Sequence, residues 1–191
     1  MTLESGQIRA SIRGARHGLL VAALLLLAGC GTGGIFGKKE PPPSCPRVGI
    51  LSEAAKTTVY RAGPGRDLTD VAYEQELLDF KGGCRYDKAL TAVTIIFTLQ
   101  VSGTRGPAGE AAETQVPYFV AVVDKQQNIL SRQRFVAKVP FTQGRRRAIV
   151  GEELEQTIPF VPGRGAADVE VLIGLELTPE QLEANRKARG F

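Results

Sequence analysis

From Arg47 onward, apolar and polar side chains alternate with a period of two, and that period is the signature of β-strands. Val93, Ile95, Phe97, Leu99 and Val101 form one face of the clearest strand, with Thr94, Ile96, Thr98 and Gln100 on the other. Val116 to Val123 is apolar on both faces, as a central strand would be. A polar turn at Asp124 to Asn128 then leads into a second alternating run, Ile129 to Phe141, and the two read as a hairpin. Val169, Val171, Ile173, Leu175 and Leu177 repeat the pattern near the end. Weaker strands are expected at Val48 to Leu51, Thr57 to Arg61, Ala72 to Phe80 and Arg147 to Ile158. Tyr73, Leu77 and Phe80 also fit a helical stripe. The strand is preferred there because Gly82-Gly83 and a paired Cys84 suit an all-β setting. Thr178-Pro179-Glu180-Gln181 is a capping box with proline at the first helical position, so a short helix is expected from Pro179 to about Arg189, stopped by Gly190.

About seven or eight strands, with no ten-residue helical pattern between them, argue for an all-β sandwich and against a parallel α/β sheet. An immunoglobulin-like or fibronectin-like sandwich with a short C-terminal helix is the expected fold, and a small closed barrel is the alternative.

The first thirty residues follow a different logic. Arg9, Arg13 and Arg16 precede ten consecutive apolar residues, Leu19 to Ala28, and Leu27-Ala28-Gly29-Cys30 closes the run. Basic, apolar and small segments in that order make an export signal. Ten residues fall short of the ~20 that a helix needs to cross a hydrocarbon core, so a permanent transmembrane anchor is the weaker reading. A cleaved signal peptide with a coincidental cysteine is the other alternative.

A cysteine directly after small residues resembles the lipobox of bacterial lipoproteins. The resemblance implies cleavage between Gly29 and Cys30, a diacylglyceryl group on the Cys30 sulfur, and acylation of the new N-terminus. Each buried CH₂ contributes ~0.8 kcal/mol, and two or more chains hold stably. Gly31 stands where an aspartate would imply inner-membrane retention, so the expected place is the outer membrane, facing the periplasm. In its body the chain resembles uncharacterised lipoproteins of Gram-negative bacteria. The shared features are Cys45-Pro46, Gly83-Cys84-Arg85-Tyr86, Arg105-Gly106-Pro107-Ala108 and Leu177-Thr178-Pro179-Glu180-Gln181-Leu182. That likeness implies no activity and transfers no functional residues.

The expected organisation is a signal peptide over 1–29, a lipidated Gly/Pro-rich tether over 30–46, a β-sandwich over 47–178 and a helix with its tail over 179–191. Gly31 to Pro46 cannot build a packed element, and Pro41-Pro42-Pro43 is a stiff spacer. Removing 1–29 takes away three arginines and Glu4, leaving 21 basic and 19 acidic residues, a net charge of +2. Such a domain is not a nucleic-acid binder by charge, and export would separate it from nucleic acid.

His17 is the only histidine and lies in the removed part. The mature chain therefore excludes Ser-His-Asp and Cys-His nucleophiles and His-ligated zinc or haem. No cofactor is expected. With Cys30 acylated, Cys45 and Cys84 remain in an oxidising compartment, and a disulfide is their expected state. The alternative is a pair of free or metal-binding thiols.

Arg145-Arg146-Arg147 at a hairpin tip could meet an anionic surface, since guanidinium forks match phosphate and carboxylate. A solvated, aggregation-resistant turn is the blander reading and is preferred. Glu152, Glu153 and Glu155 are clustered on one segment, which gives no carboxylate pair across a cleft, so catalysis through them is not expected. Arg105-Gly106-Pro107-Ala108-Gly109 and Arg61-Ala62-Gly63-Pro64-Gly65-Arg66 are turn-rich loops, more simply connections than binding loops. Tyr118 and Phe119 are expected in the core, while Tyr60, Tyr73 and Tyr86 could each keep one end wet. The expected role is non-catalytic: a lipid-anchored module that binds an envelope protein or cell-wall component. A small-ligand or lipid carrier, or a carboxylate-based cell-wall enzyme, are the rivals.

Overall fold

The computed structural model describes residues 43–161 and 165–190. They form eight strands and one helix: β1 (Arg47–Ile50), β2 (Lys56–Tyr60), β3 (Val71–Tyr86), β4 (Ala92–Arg105), β5 (Glu113–Asp124), β6 (Ile129–Pro140), β7 (Arg147–Pro159), β8 (Val169–Leu175) and α1 (Pro179–Arg189). Two four-stranded sheets face each other, ordered β1-β8-β5-β6 and β2-β3-β4-β7. All pairings are antiparallel except β1 with β8. The fold is an all-β sandwich, as the alternation predicts; the sheets do not close into a barrel. An immunoglobulin constant domain interleaves its strands as ABED and CFG. Here three consecutive strands, β2-β3-β4, form a meander in one sheet, so the strand order differs from that plan.

The core is built by the predicted faces. Val93, Ile95, Phe97, Leu99 and Val101 of β4 are buried against Val116, Tyr118, Val120 and Val122 of β5 and Val171, Ile173 and Leu175 of β8. One polar crosslink spans the sheets: the buried Gln75 amide on β3 donates to Thr114 Oγ1 (2.9 Å) and to the Gln115 carbonyl (2.8 Å). Buried polar groups persist where such partners exist.

Three details correct the sequence reading. β3 does not stop at Phe80 but runs through Gly82-Gly83-Cys84 to Tyr86, paired throughout with β4. A Cβ at Gly82 would collide with the Ile96 carbonyl oxygen, so the glycine permits close approach of β4 and does not end the strand. Cys84 therefore sits within the third strand. β8 ends at Leu175, before Leu177. Arg145 and Arg146 precede β7 but not at a hairpin tip, since β6 and β7 belong to different sheets; they follow a turn where Gly144 takes φ +79° and the Arg145 N–H donates to the Thr142 carbonyl.

The helix forms as its capping box predicts. Thr178 Oγ1 accepts from the Gln181 N–H (3.2 Å), and Gln181 Oε1 accepts from the Thr178 N–H (2.9 Å). Gly190 closes it in the left-handed region at φ +79°. Arg186, Lys187 and Arg189 occupy its last turn, where the helix dipole favours cations. None of the helix's residues is buried, so packing of an apolar face does not explain its position; its polar contacts do, as described next.

Candidate functional site

Two parts of the sandwich stand out: the end where the chain enters and the two sheet edges left open. At the entry end, Cys45 and Cys84 are joined by a disulfide with their Cα atoms 5.8 Å apart. Next to it the Tyr86 hydroxyl donates to the Ser44 carbonyl at 2.7 Å, and the Tyr86 ring leans on Phe160. Partial burial raises the Tyr86 pKa above its ordinary value, so the hydroxyl stays a donor. Whatever force reaches residue 43 is thus passed to β3 through a covalent bond and a hydrogen bond. An open recess of about 420 Å³ adjoins this corner, lined in part by Ser44, Cys45, Arg47 and Lys125. Its charges are matched inside the chain, Arg47 with Glu170 at 3.1 Å and Lys125 with Asp168 at 2.5 Å. Gly29 and Cys30 lie outside the described residues, as does most of the tether.

The three arginines before and at the start of β7 do not form one patch. Arg146 donates through Nε to the Arg105 carbonyl (3.1 Å), and Arg147 donates through Nε to Ser102 Oγ (3.1 Å). Both are drawn towards β4, while Arg145 has no side-chain partner among the described residues. Arg145 and Arg146 lie on the turn before β7 and only Arg147 belongs to the strand, so the three adjacent arginines do not share one face.

The two Gly/Pro loops are held by their own residues. Arg105 donates to the Ala111 carbonyl (2.9 Å) and lies over Phe141 at 4.6 Å; Tyr73 stacks on that ring and its hydroxyl accepts from the Ala111 N–H (3.1 Å). Gly106 and Ala108 donate their N–H groups to the Ala72 and Val71 carbonyls of β3. A Cβ at Gly106 would run into the Val71 oxygen, which explains glycine there. In the other loop Arg61 pairs with the buried Asp70 at 2.6 Å, and Arg66 donates to the Gly63 and Gly65 carbonyls and covers the Tyr60 ring. Guanidinium groups engaged this way favour a connecting role for both loops.

A sandwich of two open sheets has four edges, and this chain treats them differently. β1 is only four residues long. The β2 edge is covered by α1: Asn185 donates to the Glu53 (2.8 Å) and Lys56 (2.7 Å) carbonyls, Gln181 reaches the Thr58 carbonyl (3.5 Å), and Arg186 pairs with Glu53 (3.0 Å). The long strands β6 and β7 remain open, with no strand beyond either among the described residues. On the outer face of β6, Arg132 and Arg134 both reach Glu176 (2.9 and 3.0 Å), and Arg132 lies over Phe119. β7 carries the glutamates: Glu153 and Glu155 are exposed on the outer face, and Glu152 is half-buried on the inner one. They stand on two faces of one strand, which is not a cleft geometry for paired acid–base catalysis. Among the described residues no group of three or more histidine, cysteine, aspartate or glutamate side chains is placed to hold a metal ion.

Tyr118 is wholly buried and stacked on Phe135, yet its hydroxyl has no hydrogen-bond partner. Burial, helped by the negative charge of Glu152, pushes its pKa far above the usual tyrosine value. Core placement of Tyr118 matches the sequence reading, whereas Phe119, expected beside it, is only half-buried, on the other face under Arg132; no local signal announces the unpaired hydroxyl. The α1 cover on β2 is equally invisible in the sequence, since Asn185 and Gln181 look like ordinary solvated helix positions. No helix among the described residues is long and apolar enough to cross a membrane. No protein-family model matches the chain, and no curated protein is similar to it.

Proposed function

We propose that this protein is a lipid-anchored module of the bacterial cell envelope: a periplasm-facing, non-catalytic binding or structural domain held to the outer membrane through Cys30. The observation that carries the reading is the register of Leu27-Ala28-Gly29-Cys30 behind a basic and then an apolar segment. The Cys45–Cys84 disulfide supports it, because such bonds persist in oxidising compartments outside the cytosol. Its position supports it too: a staple at the point where the tether meets the sheet suits a domain held from its N-terminal side.

The sandwich interior favours binding at the surface over carriage inside. Leu99, Val101, Tyr118, Val139 and Ile173 fill the space between the sheets without exposure. Contact with an envelope protein or cell-wall component would then use edges and loops, and strand addition to an open edge is one such mode. Labelling of cells with radioactive palmitate, and globomycin treatment, test the anchor. The wild type should take up label and accumulate as a precursor under globomycin, and Cys30→Ser should do neither and should leave the membrane fraction. Equal membrane retention of Cys30→Ser, with no label on the wild type, would overturn the reading.

A further inference from the structure

The β7 edge is built to pair with itself, and we infer that two copies of this chain join through antiparallel β7 strands into one continuous eight-stranded sheet. The inference goes beyond the lipid-anchor reading and does not depend on it. Hydrogen bonds from Arg105 N–H to the Arg146 carbonyl (2.7 Å) and from Phe160 N–H to the Thr91 carbonyl (2.8 Å) fix the phase of the β4–β7 ladder. Pairing between them is unbroken, so even-numbered residues of β7 turn their backbone groups to β4. Arg147, Ile149, Gly151, Glu153 and Glu155 therefore turn theirs outward, to an edge with no partner among the described residues.

Charge selects the occupant. The segment begins with Arg145, Arg146 and Arg147 and continues, after Ala148 to Gly151, with Glu152, Glu153 and Glu155. One half is positive and the other negative. A parallel, in-register copy would set like charges together, whereas an antiparallel copy sets each positive half against a negative one. With a two-fold axis at Val150, Arg147 lies opposite Glu153; Arg145 stands on the turn before the strand, outside this ladder, and Glu155 is paired with Arg85 of its own chain at 3.0 Å. Arg146 then falls one diagonal step from Glu152, within reach of a long side chain. Odd residues meet odd residues in this register, so the outward N–H and C=O groups can exchange bonds. Ile149, 53% exposed in the single chain, comes to lie diagonally across the axis from its own copy.

The other edges do not offer this. β1 is too short, β2 is covered by α1, and the outer face of β6 is basic along its length, with Arg132, Arg134 and Lys138 and no acidic half. Glu153 also has no ion-pair partner within the single chain among the described residues. The interface is of the isologous type that closes at two copies.

Sedimentation velocity of the full chain in mild detergent tests the proposal. The wild type should form a concentration-dependent dimer. Arg147→Glu and Glu153→Arg should each weaken it about tenfold, because two symmetric attractions become repulsions. The double variant Arg147→Glu/Glu153→Arg restores opposite charges and should return the dimer to near wild-type strength. Hydrogen exchange gives a second readout: the Ile149, Gly151 and Glu153 amides should be slow in the dimer and fast after dilution. A wild type that stays monomeric at every concentration would overturn the inference. So would single reversals without effect, a double variant that stays dissociated, or fast exchange of those three amides in the dimer. Protection in membranes combined with a monomeric purified chain would assign the edge to another protein and reject the second copy. A lost dimer with unchanged palmitate labelling, or the converse, separates this proposal from the anchor.

Discussion

Replacing Tyr118 with phenylalanine should make this protein more stable, although Tyr118 is one of its most deeply buried side chains. The ring is fully covered and stacks on Phe135 with centroids 5.4 Å apart. Phenylalanine keeps that contact. What it removes is a hydroxyl that lost its water on folding and found no partner. An unpaired buried polar group costs about 1–3 kcal/mol, and part of that gain is offset by the small void left behind. A net gain of about 1 kcal/mol follows, or about 2–4 °C in Tm for a domain of this size. Truncation to alanine removes the ring as well and should cost about 3–5 kcal/mol. The pH dependence gives an independent check. Burial raises the folded-state pKa above the unfolded value of 10.0, so the neutral form is favoured in the native state. Stability from this group is complete below pH 10 and is lost as pH rises above it, because the unfolded chain releases the proton first. The slope is about 1.4 kcal/mol per pH unit. Thermal melts of wild type and Tyr118→Phe at neutral pH and above pH 10 measure both effects, and the stabilisation should grow with alkalinity. A phenylalanine variant less stable than wild type at neutral pH would show that the hydroxyl has a partner and refute the reasoning.

Other consequences are equally direct. Cys45→Ser/Cys84→Ser opens a loop of 39 residues' separation, for which chain entropy gives about 4 kcal/mol, so its Tm should fall by roughly 8–16 °C, and reductant should lower only the wild type. Gly106→Ala should displace the loop from β3 and cost about 2 kcal/mol in urea unfolding, since two backbone hydrogen bonds go with it. Thr178→Ala should cost about 1 kcal/mol, seen as faster amide exchange in the first turn of α1. Asn185→Ala leaves the Glu53 and Lys56 carbonyls uncovered and should raise exchange through β2 without changing the core.

Much of the scaffold is written in local pattern. The faces of β4, β5 and β8 follow from a period of two, because a pleated strand has only two sides and one of them must leave water. The capping box at Thr178 and Gln181 and the stop at Gly190 are likewise local, since they satisfy backbone groups within a few residues. The disulfide is expected from the cysteine count that the export-signal reading leaves. Pairing order is a different matter. Nothing near β1 specifies that it lies parallel to β8, more than a hundred residues away, and nothing near Gly82 marks it as the place where Ile96 approaches. The divergence of Arg145, Arg146 and Arg147, the engagement of Arg105 with Phe141, and the cover that Asn185 lays over β2 all depend on which segments the packed sheets bring together. The open β7 edge belongs to the same class. Its arginines and glutamates are plain in the chain, but their meaning appears once the sheet order leaves that strand outermost, with its odd-numbered backbone groups facing water.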